Sequence, residues 1–138
     1  MKSYYKLIVC FIILGWGILN IAKATTCANA IIIPSLPVTS QSVVCGTVNN
    51  MTTSTTPQCL VGSAYHGGLE ALYRVTPVTS GNYVISYSGQ TWTGIFVTLG
   101  CPGTAGTTCV GSITSSASSK SLTVALTAGQ TYYIMFDT

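Results

Sequence analysis

From Thr25 to Thr138 the chain has almost no charge: Glu70, Arg74, Lys120 and Asp137 are its only ionic side chains. That scarcity excludes several classes of function. Nucleic-acid binding sets clusters of Lys and Arg against phosphates, and no such cluster is present. Steering of charged partners needs a net field, and here two cations balance two anions. Histidine is nearly absent as well, with His66 the only one. A single histidine among widely spaced cysteines offers no zinc spacing. No Gly-x-Ser-x-Gly elbow accompanies the many serines. Gly67-Gly68 and the stretch from Gly103 to Gly106 precede no helical pattern, so no phosphate cradle is expected. No cofactor is implied.

The first 24 residues have a different composition. Lys2 and Lys6 form a basic start, Leu7 to Ile21 is apolar, and Ala22-Lys23-Ala24 fits a small-x-small cleavage site. The apolar run is about 15 residues, shorter than the ~20 of a typical membrane span. Residues 1–24 therefore read as a signal peptide, a short apolar helix removed on export through the Sec pathway. Cys10 lies inside the apolar run rather than at its end, which argues against a lipid-anchored cysteine. The formal charge of +3 comes from Lys2, Lys6 and Lys23, so the remaining domain is close to neutral. The expected product is secreted or displayed on the cell surface, with no membrane segment after cleavage.

Residues 25–138 make one domain with enough chain for a single core. Its pattern has a period of two. Ala71, Tyr73 and Val75 alternate with Leu72, Arg74 and Thr76. Tyr83, Ile85 and Tyr87 alternate with Val84, Ser86 and Ser88, and three further runs start near Ile95, Leu122 and Tyr132. Such runs predict half-buried strands, one face on a core and one toward water. Turn residues separate them, as at Ser80-Gly81-Asn82 and Ala128-Gly129-Gln130. Ile31 to Leu36, broken by Pro34 and Pro37, reads as an edge strand. Thr47 to Gln58 and Ser112 to Ser121 read as solvated loops. The expected fold is all-β, an antiparallel β-sandwich or jelly roll.

Five cysteines follow the leader: Cys27, Cys45, Cys59, Cys101 and Cys109. In an exported chain these read as disulfides. Cys45 and Cys59 flank the Thr-rich loop, and a bridge between them would pin it. Cys101 and Cys109 flank Pro102 to Thr108, and a bridge there would close a small loop.

From Gly68 onward the runs GLEALYRVTPVTSGNYVISYSG, GIFVTLGCPGTAGTTCVGS and SLTVALTAGQTYYIMFDT resemble the bacterial pre-peptidase C-terminal (PPC) domain. The last hairpin, Leu122 to Phe136, is the most specific, and the TCANAIII start at Thr26 is similar to the opening of such modules in Bacteroidetes proteins. The resemblance implies a non-catalytic β-sandwich appended to exported proteases, glycosidases or surface proteins. Some relatives bind calcium through acids before and after the cysteine loop. Here those stretches read Thr93-Gly94-Ile95 and Gly111-Ser112-Ile113-Thr114, without the acids, so a calcium site of that type is not expected. The resemblance also implies a further strand after Asp137. The chain is accordingly expected to be part of a larger polypeptide, with Cys27 left unpaired within it.

Candidate chemistry is thin. Glu70 opens one strand and Asp137 closes another, which gives no reason for the two to meet as a hydrolytic pair. His66, in Tyr65-His66-Gly67-Gly68, reads as a solvated turn residue. Trp92 stands in the polar loop Gly89 to Gly94, where an aromatic ring can stack on a sugar or anchor a protein contact. Gln90, Tyr87 and Tyr133 are candidates to share that patch. The function expected is an accessory or adhesion-type module contacting polysaccharide or protein at the cell surface. The alternative is the appended non-catalytic domain of a secreted protease or glycosidase.

Overall fold

A computed structural model describes residues 26–38, 49–52, 59 and 64–138. The expected signal peptide, residues 1–24, and Cys45 lie outside the described residues. The described residues form an all-β sandwich of seven strands: β1 (Ile31–Ile33), β2 (Ala71–Val75), β3 (Gly81–Ser88), β4 (Thr93–Leu99), β5 (Thr108–Ser115), β6 (Ser119–Leu126) and β7 (Tyr132–Asp137). One sheet has the order β1-β2-β7-β4-β5, and β3 pairs with β6 in the second. All pairings are antiparallel except β1 with β2. Short 3-10 turns cover Cys27–Asn29 and Ala64–His66. No helix among the described residues is long and apolar enough to cross a membrane.

Alternation places the core between the sheets. Tyr73, Ile95, Val97 and Ile134 point inward and meet Val124 and Leu126 of β6. β3 shows the period expected of a half-exposed strand, exposed and part-buried by turns. The central strands β2, β4 and β7 differ from the expectation, because both of their faces are buried. The outward residues Leu72, Phe96, Tyr133 and Met135 form a second core with Met51, packed against Cys27, Cys59 and Tyr65. Residues that precede β2 in sequence thus cover its outer face.

The disulfides fasten that cover, and they correct the expected pairing. Cys27 bonds Cys101, with Cα atoms 5.8 Å apart, and Cys59 bonds Cys109 at 4.8 Å. Cys27 is therefore paired, Cys59 is not Cys45's partner, and Cys101 and Cys109 do not join each other. The short loop between Cys101 and Cys109 needs no bridge. Thr104 donates to the Cys101 carbonyl through both its amide (3.2 Å) and its hydroxyl (2.8 Å), and the loop closes on its own bonds.

The serine-rich stretch from Ser112 to Ser121 is also not a loop. It contains the end of β5 and the start of β6, joined only by residues 116–118. Ser112 pairs with Phe96, and Ser121 pairs with Ser86, whose hydroxyl lies 3.1 Å from its own. Short hydroxyl side chains satisfy one another across a ladder, so a serine-rich sequence is compatible with strand here. Lys120 is buried in this region, donating from Nζ to the Ala117 carbonyl at 2.9 Å and lying 5.0 Å above the Tyr87 ring.

Gly94 shows how tightly the outer core is packed. A Cβ at this position would overlap the buried Phe96 ring. Gly94→Ala is therefore expected to cost about 1–3 kcal/mol by overpacking. A urea midpoint equal to that of the parent would contradict this packing.

Candidate functional site

Two clusters concentrate the side chains capable of chemistry or contact. The first is the acid pair. β2 and β7 are antiparallel with Ala71 opposite Phe136, so one step further in the same register Glu70 faces Asp137. Gly94 of β4 flanks Asp137 on the other side. Both acids are fully buried, and His66 is buried beside them. The His66 ring lies against Phe96 with centroids 4.4 Å apart. Contrary to expectation, the only two acids of the sequence meet, and the only histidine is not solvated. The physical reason is topological, since the start of one strand adjoins the end of its antiparallel neighbour.

Each acid has one oxygen satisfied. Glu70 Oε1 accepts from the Asn50 amide at 2.7 Å. Asp137 Oδ1 accepts from the Thr138 amide at 2.6 Å and the Gly68 amide at 3.2 Å. His66 Nδ1 lies 3.4 Å from the Met51 carbonyl and 3.9 Å from Asp137 Oδ2. A carbonyl can only accept, so this contact places the proton of a neutral His66 on Nδ1. Glu70 Oε2, Asp137 Oδ2, His66 Nε2 and the side-chain oxygen of Asn49 are buried with no hydrogen-bond partner.

Electrostatics follow from the burial. Removal from water disfavours the charged form, and adjacent like charges cannot both ionise cheaply. Burial lifts the Asp137 carboxyl to about 7; the Thr138 amide pulls it back, the Glu70 charge raises it further, and the Gly68 amide again lowers it. Burial likewise lifts Glu70 against the pull of the Asn50 amide, and it holds His66 below its usual range. At neutral pH the site therefore combines a neutral imidazole with an Asp137 carboxyl near the midpoint of its titration. Among the described residues no group of three His, Cys, Asp or Glu side chains is placed to hold a metal ion.

The second cluster is on the surface. Trp92 is 64% exposed at the end of the β3–β4 connection, with φ of 56°. Tyr65 stacks against it, ring centroids 6.1 Å apart and planes 26° from parallel. Gln90 is exposed in the same loop, and its amide donates to the Tyr87 hydroxyl at 3.0 Å. The Tyr87 ring is part of the packing between the sheets, 5.6 Å from the Phe136 ring. Tyr87 thus braces the loop through its hydroxyl. Tyr133 is not in the patch, because its ring is buried in the outer core with Leu72 and Phe96. Of the expected contact residues, Trp92 and Gln90 share the loop surface, Tyr87 supports it, and Tyr133 serves the core. Tyr65 was missed; the available signal was its place in a Gly-flanked aromatic pair, Tyr65-His66.

The fold and its two bridges define a disulfide-stabilised all-β sandwich, a construction suited to an oxidising compartment. Scanned against protein-family models, curated proteins and solved structures, the chain matches none of them.

Proposed function

We propose that this chain is a non-catalytic recognition module of an exported bacterial protein, similar to PPC-like modules, and that Trp92 and Tyr65 form its contact ledge for neutral polysaccharide. The carrying observation is the conformation of Trp92. A left-handed backbone costs a non-glycine residue on the order of 1 kcal/mol or more. Trp92 adopts it while leaving most of its indole in water, so neither local geometry nor core packing accounts for a tryptophan there. A flat ring pair can stack on the apolar face of a pyranose, and Gln90 and Thr91 beside it have groups that can bond to hydroxyls. The near absence of charge favours an uncharged ligand. The burial of Glu70, Asp137 and His66 speaks against their use as general acids or bases, which must reach a substrate proton.

Pull-down on insoluble cellulose, chitin and xylan tests the reading. The parent is expected to be retained on at least one, and Trp92→Ala to be released. Trp92→Gly is expected to lose retention as well while gaining up to about 1 kcal/mol of stability, because glycine accepts the left-handed backbone. Equal retention of parent and variants would remove Trp92 from the site.

A further inference from the structure

The two clusters are joined by one turn of chain. Ala64–His66 presents consecutive residues to both, Tyr65 outward to Trp92 and His66 inward to Asp137 and Phe96. We propose that protonation of the Glu70–Asp137 pair governs the position of this turn, and through Tyr65 the Trp92 ledge, making the contact surface pH-dependent. Its consequence for ligand binding rests on the reading of Trp92 given above, whereas the coupling itself is a property of the fold.

Among the described residues, several bonds at the turn converge on the acids. The Gly68 amide, two residues past His66, donates to Asp137 Oδ1. His66 Nδ1 approaches both the Met51 carbonyl and Asp137 Oδ2. The Asn49 side-chain amide donates to the His66 carbonyl at 3.5 Å, and the Asn50 amide holds Glu70. While Asp137 holds its proton, at most one of the two acids is charged and these bonds coexist. When both carboxyls ionise, two anions stand opposite each other out of water, each with an oxygen that has no donor. Like charges directly opposite across a ladder repel.

Among the described residues no cation is placed to relieve them. The β2 end contributes Glu70, the β7 end Asp137 and the 3-10 turn His66, which burial keeps neutral. Residues 49–52 have no titratable side chain, and β4 contributes Gly94 and Phe96. Arg74 lies four residues along β2, about 13 Å away at strand rise, and Lys120 lies over Tyr87 on the second sheet. Relief therefore requires water to enter at this end of the sheet. The movable piece is the cover, His66 to Gly68, which takes Tyr65 off Trp92. That burial and the Glu70 charge hold Asp137 at about 7 places the change near neutrality.

Tryptophan fluorescence reads this without a ligand, so its failure is separate from failure of the polysaccharide pull-down. The full chain has two tryptophans, and Trp16→Phe leaves Trp92 as the sole reporter. Between about pH 5 and pH 9, emission is expected to shift to the red and acrylamide quenching to rise, with a midpoint near 7. Asp137→Asn is expected to keep the low-pH signal throughout. Glu70→Gln, which removes the neighbouring charge, is expected to move the midpoint down. A flat signal in the Trp16→Phe chain would overturn the proposal. So would an unchanged transition in Glu70→Gln, which remains decisive if far-ultraviolet circular dichroism shows Asp137→Asn to be unfolded.

Discussion

Loss of the Cys59–Cys109 bridge is expected to destabilise the domain by about 4 kcal/mol. The bond joins residues 50 apart in sequence, and cross-linking so long a loop restricts the unfolded chain severely. It also holds Cys59 against the outer face, where it packs on the second core. For a domain of this size the loss corresponds to about 15 °C in Tm. The Cys27–Cys101 bridge, spanning 74 residues, is expected to contribute a similar amount. Thermal melts of a paired Cys59→Ser and Cys109→Ser variant, compared with Cys45→Ser, distinguish this pairing from a Cys45–Cys59 bond. The double variant should melt far below the parent, and Cys45→Ser close to it. A Cys45→Ser melt as low as that of Cys59→Ser would contradict the bridges described.

Raising the pH through neutrality is expected to weaken the fold, the reverse of a domain stabilised by ion pairs. In the unfolded chain the Asp137 carboxyl ionises near 3.8; in the folded one it does so at about 7. The folded state binds this proton more tightly, so the stability it contributes is complete below the lower value and lost as pH rises through the upper one. Glu70, also raised, acts in the same direction. His66 is lowered and acts oppositely: below about 6.5 the unfolded chain gains a proton that the buried ring refuses, so acidification costs stability there. The maximum should fall in mildly acidic solution. Going from there to about pH 8.5 should cost roughly 2 kcal/mol, after allowance for the opposed groups. Urea unfolding at several pH values measures it. Asp137→Asn, which cannot ionise, should flatten the alkaline limb and exceed the parent in stability at the highest pH. Constant or rising parental stability across neutrality would show that the pair is not held as described.

The strands were legible because a period of two is written directly in runs such as Tyr83, Ile85 and Tyr87. Strand partners were not. Neighbours in sequence pair more often than not, yet β2 pairs with β7 across most of the domain. Without that partnership nothing in the sequence says that Glu70 and Asp137 lie at the same end of two adjacent strands. Tyr133 was misplaced for a related reason: alternation assigns it a face but not what covers that face, and the cover comes from the chain around Cys27 and Tyr65. Disulfide connectivity depends on the same cover and is not written in cysteine spacing. The Ser112–Ser121 stretch was misjudged by composition, since most of it lies in strand ladders, with Ser121 bonding across to Ser86. Trp92 was legible as an aromatic in a polar loop, whereas its left-handed backbone and its Tyr65 partner were not.

Beneath the pH effects is one physical statement: Glu70 and Asp137 are buried at the adjoining ends of two paired strands, where burial and the neighbouring charge keep Asp137 from ionising in its ordinary range. Titration of the Asp137 side-chain carboxyl by carbon-13 NMR measures this directly. The expected midpoint is about 7, falling when Glu70 is replaced by Gln. A midpoint near the ordinary value of 3.8, unaffected by that substitution, would mean two separate solvated carboxylates and would contradict the account.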